Sequence, residues 1–249
     1  MSDPDRAADA GEVRAWIVAA RQVAVLTGAG MSAESGVPTF RDALTGLWAR
    51  FRPEDLATED AFRADPQTVW DWYASRREGV AAVASNAGHL ALARFEARHP
   101  GRLTLITQNV DGLHQRAGST GVLALRGELA ADRWLDAPRT CCVAQPPQPG
   151  RPPRCPVCGS LRRPAVVWFG EMLPQDALDR AEAAARGCDL MLVVGTSGLV
   201  YPAAGLARTA ARHARVVVVN PEPSALDDAA HRVLRGTAAR LLPELLDAA

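Results

Sequence analysis

Three groups of residues in this chain have the types and spacing to do chemistry. The first is the turn Gly28-Ala29-Gly30-Met31-Ser32-Ala33, which follows an apolar run and fits the pattern G-x-G-x-x-G/A. Small residues in such a turn let the backbone approach a pyrophosphate and offer it amide donors. The second is Cys155-Pro-Val-Cys158, a knuckle of the kind that gives two thiolates to a structural metal. The third is Tyr73 and Arg76, three residues apart and so on one face of a helix. A guanidinium fork beside a phenol can grip a carboxylate, although the same pair is ordinary on a solvated helix face. The glycine turn is a weak sign by itself, because a tight strand-to-loop turn has the same composition. Two details depart from a plain dinucleotide site. Ser35-Gly36-Val37-Pro38 delays the helix that should follow, and no obvious acidic residue lies about 20 positions on to take ribose hydroxyls.

Apolar β-branched runs alternate with alanine-rich stretches, and this alternation sets the frame for those groups. Residues 23–27, 103–108, 122–125, 189–195 and 216–220 read as buried parallel strands, with a last strand at 232–234. Residues 12–21, 66–84, 87–98, 175–186 and 202–212 read as helices, with a terminal helix from Thr237. The expectation is an α/β fold, a Rossmann-like doubly wound parallel sheet carrying a smaller inserted module. Its boundaries fall at 12–43, 101–128 and 163–247 for the sheet domain, 44–100 for a helical insert and 129–162 for a second insert. Residues 138–164 are proline-rich and show neither helical nor strand period.

The 249 residues are 48% hydrophobic, enough for a sizeable core, and balance 28 basic against 28 acidic side chains. That balance gives no field favouring nucleic acid or an anionic membrane. The polar N-terminal stretch lacks a signal-peptide layout and no apolar run approaches a membrane span, so the expected location is the cytoplasm. Five cysteines in such a chain point to metal ligation or free thiols rather than disulfides.

Longer phrases are more specific. GAGMSAESGVPTFR, TQNVDGLH at 107–114, VVWFGE at 166–171, GTSGLVYPAA at 195–204 and NPEP at 220–223 occur in the order found in the sirtuins. The chain resembles that family of NAD-dependent protein-lysine deacylases over residues 15–245. The resemblance implies a Rossmann-like domain and a smaller module built from a helical insert and a zinc ribbon, with NAD and acyl-lysine meeting in the cleft between them. By position it places Gly28, Ala29, Gly30, Ser32, Gly195, Thr196 and Ser197 at the phosphates. Asn220 and Glu222 take the adenosine ribose, Phe40 and Arg41 border the scissile ribose, and Ala238 completes the cofactor lining. Gln108, Asn109 and Asp111 form the nicotinamide pocket, with Asn109 and Asp111 catalytic. Val167, Trp168 and Phe169 become the edge that pairs with an extended peptide. Tyr73 and Arg76 match the Y-x-x-R pair of the branch that removes succinyl or malonyl groups.

Two departures qualify the resemblance. The family ends the strand after TQN-x-D-x-L-H in His-Gly, and that histidine takes a proton from a ribose hydroxyl. Here Arg126 precedes Gly127 and occupies the catalytic slot. An arginine stays protonated and cannot be a general base. The remaining histidines, His89, His99, His213 and His231, read as surface or capping residues, and His114 belongs to the cofactor motif. The partner knuckle of the zinc ribbon is also missing: Trp134 and Ala137 stand where its cysteines belong. Cys141 and Cys142 are alternative ligands beside Cys155 and Cys158, but adjacent residues point poorly at one metal, so the expected zinc content is well under one per chain. Trp134 is expected to fill the space as an apolar plug.

Three functions fit. The chain cleaves NAD and transfers ADP-ribose to an anionic acceptor, such as a small molecule held by Arg76 and Arg126. Alternatively it deacylates acylated lysine, as a desuccinylase or demalonylase. Or it binds NAD or acyl-peptide without turnover. The sequence favours the first, because that reading uses every intact motif and gives Arg126 a purpose. No nucleic-acid or membrane partner is expected.

Overall fold

The structure, a computed structural model, describes residues 3–38, 51–52 and 55–248. Its strands are β1 (Val23–Thr27), β2 (Leu103–Thr107), β3 (Leu123–Ala124), β4 (Gly127–Trp134), β5 (Arg162–Val166), β6 (Leu190–Val194), β7 (Arg215–Val219) and β8 (Arg232–Leu234). Six of them form a parallel sheet in the order β3-β2-β1-β6-β7-β8. The central strands VAVLT and LMLVV are buried at every residue, which is why they read as continuous apolar runs rather than alternating ones.

Helices cover both faces of this sheet. On one side lie α1 (Asp3–Ala19), α4 (Ala87–Arg98) and α9 (Ala238–Leu246), whose Val13, Ile17, Leu92, Phe95, Leu241 and Leu245 pack against Val25, Leu105 and Leu192. On the other lie α7 (Gln175–Gly187) and α8 (Ala203–Ala210), packed on Leu26, Ile106 and Val193 through small residues such as Ala181, Ala185 and Ala207. Opposite faces of the same strands therefore feed two separate apolar layers, as a doubly wound fold requires. Among the described residues the first α-helix after β1 is α2 (Glu59–Ala64); the turn that follows β1 contains two short 3-10 turns instead. This matches the delay read from Ser35–Pro38. Among the described residues no helix is long and apolar enough to cross a membrane.

The chain divides into two compact units, residues 1–39, 83–126 and 173–249, and residues 40–82 and 127–172. The boundaries differ from those expected. Helix α4 belongs to the sheet unit because Ala91, Leu92 and Phe95 enter its core, and residues 163–172 belong to the second unit. Within that second unit β4 and β5 pair antiparallel, and α3 (Pro66–Ala81) packs on them. The β4–β5 register shifts between Glu128 and Asp132. Arg77 covers the irregular stretch, donating to Leu129 O at 2.7 Å, Ala131 O at 3.2 Å and Asp132 Oδ1 at 2.6 Å. A short helix α6 (Thr140–Ala144) and the start of strand β5 lie within 138–164, where the sequence shows no period. Five-residue elements are too short to display one. Helix α5 (Leu113–Arg116) completes the set.

Candidate active site

The strand order reverses at β1, which has β2 on one side and β6 on the other. In open α/β sheets ligands bind outside the carboxyl ends of the strands at that switch point. The predicted cofactor segments all follow carboxyl ends: Gly28–Ser32 after β1, Gln108–Asp111 after β2, Gly195–Ser197 after β6 and Asn220–Glu222 after β7. Two of these loops nest backbone against backbone. Gly30 N donates to Gly195 O at 2.8 Å and Gly28 N to Val194 O at 3.0 Å. A Cβ on Gly195, whose φ is +62°, would lie 2.3 Å from Met31 N; one on Gly30 would lie 2.8 Å from Gly195 Cα. Only glycine permits that approach. Gln108 Nε2 reaches Thr196 Oγ1 at 3.3 Å and so ties the third loop to the second.

Below the glycine turn a polar corner locks the expected nicotinamide pocket. Ser32 Oγ donates to Asp111 Oδ2 at 2.7 Å, while Asn109 Nδ2 donates to Gly28 O at 3.0 Å and to Ser32 Oγ at 3.2 Å. Asp111 Oδ1 accepts from Leu113 N at 2.9 Å and starts α5. Two histidines complete the corner. His89 Nε2 lies 3.4 Å from Ser32 Oγ, and His114 Nε2 lies 3.1 Å from Thr27 Oγ1. Their ring centres are 4.8 Å apart. His89 does cap α4, with Asn86 in a capping box. It is fully buried beside the site, however, and the surface role expected for it is corrected. A G-H pair opening an alanine-rich helix carries no sign of that burial in the sequence.

Burial holds the His89 pKa down to about 4 and that of His114 down to about 3, the latter lowered further by His89. Both rings are therefore neutral in the folded protein, while the unfolded chain protonates them below pH about 6.5. The unfolded state binds the extra protons, so stability is full above that pH and falls as pH drops toward 4. Between pH 7 and pH 5 the expected loss is roughly 2 kcal/mol per histidine. Urea unfolding at the two pH values checks this, and His114→Asn should reduce the difference by about half. Equal pH dependence in that variant would count against the assignment.

The loop expected to take the adenosine ribose is fixed by its own side chains. Asn220 Nδ2 donates to Glu222 O at 2.7 Å, and Arg235 Nη1 donates to the same carbonyl at 3.0 Å. Arg235 also pairs with Asp227. Ala225 N donates to Ser197 O at 2.9 Å, so this loop is joined to the phosphate loop. The Glu222 carboxylate is left exposed and available to a ligand, while Asn220 is buried. Ala238, buried at the first turn of α9, packs by the glycine turn. Phe40 and Arg41 lie outside the described residues.

Arg126 follows β3 at the same edge of the sheet, placed there by the Leu125 N to Thr107 O bond of 2.9 Å. It is half-buried, and burial alone lowers its pKa. Among the described residues no carboxylate or carbonyl holds its guanidinium.

In the second unit Tyr73 and Arg76 share a face of α3 as expected. Their guanidinium and ring lie 5.8 Å apart, and Arg76 also stacks on Trp72 at 5.1 Å. Tyr73 is buried, its pKa pushed up to about 12 by that burial. Residues 167–169 lie past the end of β5. Trp168 N donates to Glu171 Oε2 at 2.8 Å and Phe169 N to Ala57 O at 2.9 Å. Those two amides are committed internally, which narrows the expected peptide edge to Val167 and the carbonyls. The Trp168 side chain is 2% exposed, so it supports the site from beneath.

The cysteines named as alternative metal ligands are brought together by the fold. Cys141, Cys142, Cys155 and Cys158 come together, with all four Sγ atoms within 4.8 Å of one another. A tetrahedral zinc with bonds of about 2.3 Å needs sulfurs about 3.8 Å apart, so the donor set and its size fit the ion. Although adjacent helical residues point apart, the Sγ atoms of both Cys141 and Cys142 lie within 4.8 Å of those of Cys155 and Cys158, so both face the same cluster. The Cys158 amide draws the Cys155 thiol down to about 6, whereas the Cys158 thiol pushes Cys141 up to about 12 and burial raises Cys142, so a metal has to displace protons from those two. Trp134 is not a plug in this cluster; it lies under the Arg162 guanidinium, 5.0 Å from its ring centre.

Comparison with known proteins agrees with this geometry. An NAD-dependent protein deacylase of Ralstonia nicotianae is 61% identical over 241 residues, covering 96% of this chain and 97% of that protein. A solved Sir2 homologue in complex with NAD superposes with a TM-score of 0.85 at 44% identity, over 96% of this chain and 93% of the other. A Sir2 structure bound to acetylated peptide superposes with a TM-score of 0.82 at 29% identity, over 96% and 97%. The family model described as Sir2 family matches residues 28–202. With its switch-point sheet, its nested glycine loops and these relatives, the chain belongs to the Sir2 family of NAD-dependent enzymes.

Proposed function

We propose that the chain is an NAD-dependent protein-lysine deacylase that prefers acyl groups ending in a carboxylate. The observation that carries the reading is the Asn109–Ser32–Asp111 corner, which is complete and hydrogen-bonded at the ligand edge of the sheet. Departure of nicotinamide leaves positive charge on the ribose, and a pre-set carboxylate and amide are suited to that step. Tyr73 and Arg76 supply a phenol and a guanidinium for the acyl end. The kinship with an NAD-dependent protein deacylase supports deacylation rather than another transfer.

Arg126 favours a second reading, transfer of ADP-ribose to an anionic acceptor. A half-buried guanidinium without a counter-charge among the described residues attracts a carboxylate or phosphate. Mass spectrometry of NAD consumption with and without succinyl-lysine peptide separates the two. Nicotinamide together with unmodified lysine peptide supports deacylation. Nicotinamide with no deacylated peptide supports transfer, and neither product leaves a binding protein.

Asn109→Ala and Asp111→Ala should each lower nicotinamide release by at least about 10²-fold, the scale of losing one pre-organised electrostatic group. NAD affinity, which draws on the phosphate and adenosine loops, should change much less. Initial rates and calorimetric Kd values check both; unchanged release in the two variants would remove this corner from the reaction.

A further inference from the structure

The Tyr73 hydroxyl has one proton to give and lone pairs to receive with. Its neighbour Trp168 Nε1, 3.0 Å away, can only donate. The phenol oxygen therefore accepts in this contact, and the Tyr73 proton is not used by it. Among the described residues no acceptor takes that proton. Tyr73 is 2% exposed, and leaving a buried hydroxyl proton unmatched is costly.

The indole that imposes this direction is itself held. The Arg163 guanidinium carbon sits 3.2 Å from the centre of the Trp168 rings, and Arg163 is 1% exposed. Arg163 Nη2 donates to Val166 O at 2.8 Å and to Glu171 Oε2 at 3.1 Å, and its Nη1 donates to Glu171 Oε1. Glu171 Oε2 also accepts from Trp168 N at 2.8 Å, so one carboxylate fixes both the backbone and the cation beneath the ring. Phe62 packs against the indole with ring centres 5.3 Å apart. A buried cation stacked on an indole and neutralised by a bidentate carboxylate is a rigid support.

We propose that Trp168, clamped by Arg163 and Glu171, determines acyl specificity: it fills the accepting side of the Tyr73 hydroxyl, so that only a proton is offered to the substrate and acyl groups bearing an acceptor are preferred. Trp168, Arg163 and Glu171 are positioning residues that act through Tyr73. The inference rests on the proposed role of Tyr73 as an acyl contact. It adds a residue set that carries no charge to the ligand itself, yet sets which ligand is taken.

The test uses the full chain carrying Tyr201→Phe, which leaves Tyr73 as its single tyrosine out of two. The tyrosine Raman doublet reports whether a phenol accepts or donates. It should show an accepting Tyr73, and Trp168→Phe should abolish that state while keeping an aromatic ring. Fluorescence anisotropy then gives Kd for succinyl-lysine and butyryl-lysine peptides without any need for turnover. Trp168→Phe should raise the succinyl Kd about tenfold and leave the butyryl Kd within about twofold, the effect of losing one oriented hydrogen bond to a charged group. A doublet that Trp168→Phe leaves unchanged, or equal shifts for the two peptides, overturns the proposal. If Tyr73→Phe still weakens the succinyl peptide, only the role of Trp168 falls. If Tyr73→Phe also treats both peptides alike, the acyl-contact reading fails and the inference fails with it. Should Trp168→Phe lower the melting temperature severely, Glu171→Gln, which loosens the clamp but keeps the indole, is read by the same two measurements and the same outcomes.

Discussion

Replacing Arg126 by histidine should raise desuccinylation of a lysine peptide by at least about 10²-fold, the low end of what a general base contributes. The substitution returns a titratable nitrogen to the carboxyl end of β3 without touching the loops proposed to hold NAD. Arg126 lacks a partner among the described residues, so its removal breaks no ion pair among them. Burial lowers its pKa, but a guanidinium retains its proton at working pH. Nicotinamide release without acceptor should change much less, because that step is proposed to draw on Asn109 and Asp111. Initial rates of nicotinamide release and of peptide deacylation, measured side by side, decide the matter. A wild type that already desuccinylates well, with nothing added by Arg126→His, places the base elsewhere. The buried Ser32–His89–Asp111 corner is then the next place to look. A variant that binds NAD yet never deacylates argues that the acceptor is not a lysine peptide, and the ADP-ribose transfer reading gains.

Much of the sheet unit is legible in the sequence because its signals are local. Continuous apolar runs mark strands buried on both faces, and residues 87–98 read as a helix because Asn86 caps it and alanines fill it. The cofactor loops are legible for a related reason: close backbone approach restricts residue type, as Gly30 and Gly195 show. What stayed hidden depends on contacts far apart in the chain. The burial of His89 comes from its meeting with Ser32, 57 residues away. Strands β4 and β5 pair across a proline-rich span, with a register shift that erases simple alternation in β4. The support of Tyr73 by Trp168 joins residues 95 apart, and nothing near either residue announces it. The spacing of Tyr73 and Arg76 was visible, but the commitment of the Trp168 and Phe169 amides inside the second unit was not.

The purified chain should carry one zinc ion, contrary to what the loss of cysteines at Trp134 and Ala137 implies by itself. Local spacing shows a missing knuckle; the fold shows a replacement. Helix α6 places Cys141 and Cys142 one residue apart on its turn, and the Cys155–Cys158 knuckle closes over them, with Cys142 and Cys158 sulfurs 3.4 Å apart. Four thiols within 4.8 Å of one another with no metal and no disulfide would repel as thiolates or waste polar groups as thiols. A bound divalent ion resolves both, and structural zinc contributes roughly 10 kcal/mol or more to small folds that depend on it. Elemental analysis should give a zinc-to-chain ratio near one. Cys142→Ser and Cys158→Ser should each lower it sharply, because three ligands hold zinc less tightly than four. Strong chelators should expose the segment between β4 and β5 to protease while the parallel sheet unit, whose core contains none of these four cysteines, keeps its NAD-binding loops. A ratio far below one in freshly prepared protein, with proteolysis indifferent to chelator, would show that the cluster holds itself by packing alone.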